Sequence, residues 1–286
     1  MTALALVLSA AATAAADSGT ALPPGISATI ETGWHSRYIN IGARDNLGEG
    51  GMFTTELKVK SDTGVFAGAY AIFADSRRYQ QTNLYAGISR QWGDFHFGVS
   101  YTWLHFYPTP GHSNKDDNEL NLAVAWEGLE WATLSADYLT STDAEKAEGG
   151  GGGSMLTLGL YSANAFRAGP VALSPFAAVA LDYGFSTPEH DGMNNVKLGL
   201  KGAMPLSEDI ELNFYVAQSF RGEDIRKHRR TRRGIGDETW GGISLVFGLW
   251  RRRRNGQDDA GKRGSRKRRS RTPGRFPLQH PTGDMQ

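Results

Sequence analysis

The sequence predicts an all-β protein, a closed antiparallel transmembrane β-barrel of about twelve strands. Twelve short stretches alternate apolar and polar residues, which is typical of strands with one apolar and one polar face. The connections between them alternate between short and long, as in outer-membrane barrels with short periplasmic turns and long external loops. Beyond the N-terminal segment, no apolar run reaches the roughly 20 residues that a membrane helix needs.

The first residues have the composition of a secretory signal peptide. Leu4–Ala10 form an apolar core, and small residues ending at Ala16 offer a cleavage site. No Lys or Arg precedes the core, which departs from the usual pattern, and a buried N-terminal helix is the alternative. We expect a signal peptide over 1–16 and a short periplasmic lead-in over 17–25.

The barrel is predicted to occupy residues 26–250, with most strands near the 9–11 residues that a tilted strand needs to cross a bilayer. Because the strand count is even and the turn after the second strand is short, both termini are expected in the periplasm. The connection 163–173 interrupts the alternation, so either this turn is enlarged or a strand boundary is misplaced. The predicted strands are 26–43, 52–60, 65–74, 83–92, 95–105, 119–127, 131–139, 154–162, 174–183, 195–204, 210–219 and 240–249.

Alternation assigns side chains to the lipid and to the lumen. A register slip of one residue would place Lys and Glu in lipid, at a cost of about 2–4 kcal/mol for a mid-membrane Lys. The register is weak over 65–74, which is apolar on both parities, and the parity changes between Trp34 and Ile39, where we expect a bulge. The lumen-facing candidates are Glu56, Lys58, Lys60, Glu119, Asn121, Glu127, Asp137, Asp182, Lys197, Lys201, Glu211, Asn213 and Tyr215.

The predicted lumen is hydrated, because its lining mixes carboxylates with lysines, but this mixture does not choose between anions and cations. A twelve-stranded barrel is wider than the roughly eight-stranded kind that side chains fill. Aromatic residues at the strand ends predict two girdles at the membrane interfaces. A soluble β-sandwich or lipocalin-like barrel is the alternative fold, and the regular alternation of connection lengths favours the membrane barrel.

Several strand motifs in residues 26–140 resemble the TorF-type porins, an uncharacterised outer-membrane family of Gram-negative bacteria. The resemblance implies an outer-membrane barrel able to conduct small solutes, and it supplies no catalytic residues. The motifs are Ser36-Arg37-Tyr38 with Gly42, Gly64–Ala71, Asn83–Ile88, Gly98–Tyr101 and Asn118–Ala123.

We therefore expect a porin-like channel for passive diffusion of small solutes, located in the cell outer membrane. A non-conducting barrel that binds surface or envelope partners is the alternative, and an outer-membrane enzyme ranks third. Outer-membrane phospholipases use a His and a Ser two positions apart on one strand. His35-Ser36 and His112-Ser113 are adjacent instead, so alternation would turn a strand-borne pair to opposite faces.

No catalytic residue, cofactor or metal site is predicted. The absence of cysteine excludes disulfides, thiolate metal sites and cysteine nucleophiles. An acidic run at Asn114, Asp116, Asp117 and Glu119 lacks the full calcium-loop signature, so we interpret it as a solvated loop.

Two basic segments contrast with an acidic body. Residues 251–286 carry a net charge of +9, which leaves −8 for 1–250. The composition of this tail favours disorder; it is either a periplasmic polycation or the product of a shifted frame or misplaced stop.

Expected partners are membrane lipids, lipopolysaccharide, small solutes and the outer-membrane assembly machinery. Nucleic acid is not expected, because the sequence contains no nucleic-acid-binding domain. Candidate contacts to lipopolysaccharide phosphates are Arg226, Lys227, Arg229, Arg230, Arg232 and Arg233.

Overall fold

Thirteen strands and one short helix form the described part of the computed structural model, which covers residues 22–37, 50–75, 79–107, 115–141, 152–162, 166–185, 191–227 and 237–249. The predicted signal peptide, the basic tail and the His112-Ser113 pair lie outside these residues. The elements are β1 (Ile26–His35), β2 (Met52–Ser61), β3 (Val65–Ala74), β4 (Gln80–Trp92), β5 (Phe95–Phe106), β6 (Lys115–Trp126), β7 (Ala132–Ser141), β8 (Ser154–Ser162), β9 (Phe166–Ala168), β10 (Val171–Tyr183), β11 (Asp191–Pro205), β12 (Ile210–Arg221), α1 (Glu223–Lys227) and β13 (Glu238–Leu249).

Twelve of these strands close into an antiparallel barrel, as the sequence predicts. Strands β1 to β8 pair in sequence order, β8 pairs with β10, and β10 to β13 continue the ring. Closure occurs where β1 pairs with β13, from Ala28 opposite Leu249 to His35 opposite Gly242. A closed sheet leaves no unpaired edge, which is the condition for crossing lipid.

Most predicted strand boundaries agree with the observed ones to within a few residues, with one correction near a long connection. Strand β6 begins at Lys115, so Asp116 and Asp117 lie in a strand, and the interpretation as a solvated loop was wrong for them. Strand β1 pairs without interruption with β2 from Ile26 to His35 and with β13 from Ala28 to His35. The bulge predicted between Trp34 and Ile39 stays a prediction, because residues 38–49 lie outside the described residues.

The irregular connection at 163–173 contains a small hairpin. Strand β9 pairs with Val171–Leu173 at the start of β10, around Gly169 and Pro170. The positive φ of Gly169, +63°, is suited to this turn. Both sequence-based explanations therefore apply, because the turn is enlarged and β10 starts three residues earlier than predicted.

A register shift occurs in the pairing of β10 with β11. Ala180 pairs with Asn195 and Leu181 pairs with Met193, so Asn194 is the extra residue of a β-bulge. Both asparagines are fully buried. The bulge thereby brings two consecutive amide side chains into the interior. They lie near the end of the barrel from which the long connections extend, here called the long-connection end.

The outer face of the barrel is apolar and exposed. On β5, for example, Phe97, Val99 and Tyr101 alternate with smaller or polar residues that are less exposed. Trp92 and Trp131, 80% and 61% exposed, lie at the short-turn end, where an aromatic girdle is predicted. Within the described ranges no helix has the length and apolarity to cross a bilayer.

Candidate functional site: the barrel interior

The sequence-derived lumen candidates fall on a single face of the sheet. Cross-strand partners share a face, and the pairing places Glu56 opposite Tyr70, Glu119 opposite Thr102, and Lys201 opposite Tyr215. This face is opposite to the one that carries the exposed apolar side chains. The remaining candidates on this face are Lys58, Lys60, Asn121, Asp137, Asp182, Lys197, Glu211 and Asn213, whereas Glu127 directly follows the end of β6.

Three of the candidates lie at the short-turn rim and are exposed. They are Lys60, Glu127 and Glu211. A Glu127 carboxylate oxygen lies 3.2 Å from His96 Nε2 at this rim. Charges at this rim lie next to the opening rather than within the barrel.

An apolar cluster lines the inner face of β2, β3 and β4. Its members are buried and pack against Phe106 of β5. Alternation could not predict this cluster, since β3 is apolar on both parities. The interior is therefore less uniformly hydrated than the sequence predicts. The cluster comprises Met52, Phe66, Tyr70, Ile72, Ala74, Tyr79 and Tyr85.

Next to this cluster, a ladder of polar side chains runs along β4. The Tyr79 hydroxyl donates to Gln81 Oε1, and Gln81 Nε2 donates to Asn83 Oδ1 at 2.6 Å. Gln81 and Asn83 are each 2% exposed. Buried amides need such partners, so the ladder fixes this wall in one arrangement.

The inner lysines lie against aromatic rings. Lys201 Nζ is 5.4 Å from the centre of the Phe176 ring and 5.6 Å from that of Tyr161, and these two rings stack. Lys197 Nζ lies 5.9 Å from the Trp240 ring, and Lys58 has a comparable contact with a ring of β3. Cation–π attraction holds these ammonium groups near the wall.

Two inner carboxylates form a like-charged pair. Glu31 on β1 and Glu56 on β2 are directly opposite in the register. The Ser244 hydroxyl donates to Glu31 at 2.6 Å and the Tyr85 hydroxyl donates to Glu56. Within the described residues neither carboxylate forms a salt bridge. Directly opposed like charges destabilise a sheet, so this pair has a cost when both groups are ionised.

Glu31 was not among the predicted lumen-facing residues, because the apolar parity changes within the predicted first strand. His35, also on β1, links three strands: its Nδ1 is 2.9 Å from the Tyr215 hydroxyl and its Nε2 is 3.0 Å from Thr54 Oγ1. Ser36 makes a separate contact, accepting the Gly241 backbone N–H at 3.0 Å. The adjacent His and Ser therefore have different partners.

A buried polar network lies on the inner wall of the barrel, at the long-connection end. Asn194 Nδ2 donates to Asp182 Oδ2 at 3.1 Å and to Asp224 Oδ2 at 3.3 Å, so one amide bridges β10 and α1. Asn195 Nδ2 in turn donates to Asn194 Oδ1 at 2.9 Å. All four side chains are fully buried, and so is that of Ile225 on α1. Asp182 was predicted to face the lumen, but its link to α1 through the Asn194 amide was not predicted.

The candidate lipopolysaccharide contacts are only partly described. Arg226 and Lys227 lie in α1 at the long-connection end, whereas the other four arginines are outside the described residues. In the portions of the chain that the structure describes, no group of three or more His, Cys, Asp or Glu side chains is arranged to hold a metal ion.

Comparison with known proteins relates the chain to outer-membrane channels by fold. No protein-family model and no curated protein sequence matches it. Among solved structures, the KdgM porin is 8% identical, with a TM-score of 0.50 over 77% of this chain and 98% of that one. The NanC porin is 10% identical with a TM-score of 0.48, over 77% and 98% of the two chains. The COG4313 outer membrane channel from Pseudomonas putida F1 is 9% identical with a TM-score of 0.46, over 80% and 97%. The fold is that of outer-membrane β-barrels, and the closed sheet with its apolar exterior locates the chain in the outer membrane.

Proposed function

We propose that the protein is a porin-like channel for passive diffusion of small polar solutes, with a preference for cations. The observation that supports it is a closed barrel whose inner face carries the opposed carboxyl groups of Glu31 and Glu56, which form no salt bridge among the described residues. The inner lysines are held at the wall against aromatic rings, and Lys197 is only 2% exposed. Rings of carboxylates favour cations in channels.

We also propose that the chain is a TorF-type porin, on the basis of the strand motifs given above.

Planar-bilayer recording of the refolded protein tests the channel. We expect discrete current steps in symmetric salt, because a charged inner face keeps water and ions in the pore. A refolded sample that migrates as a folded barrel but produces no steps contradicts the channel.

A non-conducting barrel that binds envelope partners is the second candidate. The apolar cluster on β2 to β4 favours it, since buried aromatic side chains occupy interior space that water and solutes would need. Absence of current together with capture of an envelope component by the folded protein would favour this candidate over the channel.

We further propose that the arginine-rich connection binds lipopolysaccharide phosphates. The alternation of connection lengths predicts this connection on the external side, and arginine pairs well with phosphate. Changing Arg229, Arg230, Arg232 and Arg233 to Glu should weaken retention of lipopolysaccharide on the immobilised protein. The same change at Arg251–Arg254 is the matched control, because it moves the net charge equally at the predicted periplasmic end. Equal retention by both variants contradicts the proposal.

A further inference from the structure

Helix α1 is attached to the inner wall of the barrel at the long-connection end. Its Asp224 shares the Asn194 amide with Asp182 of β10, and its Ile225 is fully buried. Directly before the helix, the Gly222 backbone N–H donates to the Asn194 carbonyl at 2.5 Å. Asn194 therefore holds this segment through both its side chain and its backbone.

The local structure around Asn194 and Gly222 favours this attachment. The β-bulge that inserts Asn194 brings an extra amide to the point where α1 approaches. Close packing accompanies it, because a Cβ added at Gly222 would lie only 1.9 Å from the Met193 carbonyl oxygen. Bulges commonly redirect a side chain at the rim of a barrel, and here the redirected side chain bonds two carboxylates. The position of α1 is thus set by several independent contacts.

We infer that α1 sets the upper size limit for solutes at the long-connection mouth, with Asn194 and Asp224 as its positioning residues. This inference depends on the proposed channel function. A segment fixed on the inner face of β10 to β12 reduces the open cross-section at that end. Pore diameter is one of the properties that decide which solutes pass.

Releasing the helix tests the inference. Asp224→Ala removes the bond to the helix but leaves the Asn194–Asp182 bond, so the wall keeps its hydrogen bond. A second variant, Ile225→Ser, weakens the same attachment through the apolar contact instead. Asp209→Asn is the matched control, since this exposed carboxylate lies in a short turn at the opposite end of the barrel.

The readouts are single-channel conductance and exclusion of neutral polyethylene glycols of graded size. We expect both release variants to conduct more and to admit larger polymers than the parent and the control. A conducting parent whose release variants show the same conductance and the same exclusion limit overturns the inference while leaving the channel intact. If parent and variants are all silent, the channel itself is rejected and the inference with it.

Discussion

Replacing Val216 by arginine is expected to destabilise the folded barrel by about 2–4 kcal/mol, because the charge would lie in the lipid midplane. Val216 is 52% exposed on the outer face of β12, well within the strand. Its neighbour Tyr215 faces inward and contacts His35, so the two faces are distinguished residue by residue. Urea titration of the protein folded into vesicles, followed by tryptophan fluorescence, measures the free energy of unfolding.

Val65→Arg is the matched control for this experiment. Val65 is also 52% exposed on the outer face, but it is the first residue of β3 and lies beside the short turn. Near the membrane interface the same substitution costs only about 0–1 kcal/mol. Equal costs at the two positions would contradict the assigned depth, and a negligible cost at Val216 would contradict the assigned facing.

The architecture could be predicted because period-two alternation and turn spacing are local properties of the sequence. Strands with one apolar and one charged parity, such as β2 and β12, have a single register that keeps charges out of lipid. Where both parities are apolar, as in β3, the sequence could not show that Phe66 and Tyr70 point inward. That assignment depends on pairing with β2 and β4, which only the folded sheet supplies.

The candidate site was predictable in its charges but not in its contacts. Lys197 and Lys201 were assigned to the interior, yet their ring partners come from strands distant in sequence. The bridge from Asp182 to α1 depends on the bulge at Asn194, and no turn signal in the sequence indicates that bulge. Long-range side-chain partners of this kind follow from sheet topology rather than from local pattern.

Removing the like-charged pair with Glu31→Gln and Glu56→Gln is expected to abolish most of the cation preference of the channel. The two carboxylates are opposite each other, accept bonds from uncharged hydroxyls and form no salt bridge within the described residues. Neutral donors orient a carboxylate without cancelling its charge, so the ionised pair should make the local potential more negative. The reversal potential in a salt gradient measures the preference, and we expect it to move towards zero in the double variant.

The free energy of unfolding is a second readout. Removing a pair with a merely structural role would lower it, whereas we expect it to rise. Relief of the repulsion between opposed like charges should stabilise the barrel by about 0.2–1 kcal/mol, even as selectivity falls. Glu130→Gln with Glu208→Gln is the control, because both residues are exposed in short turns and remove the same total charge. If the control shifts the reversal potential as far as the lumen variant does, rim charge rather than the Glu31–Glu56 pair sets the preference. Loss of cation selectivity together with increased stability would indicate that the Glu31–Glu56 pair serves ion passage and does not stabilise the fold.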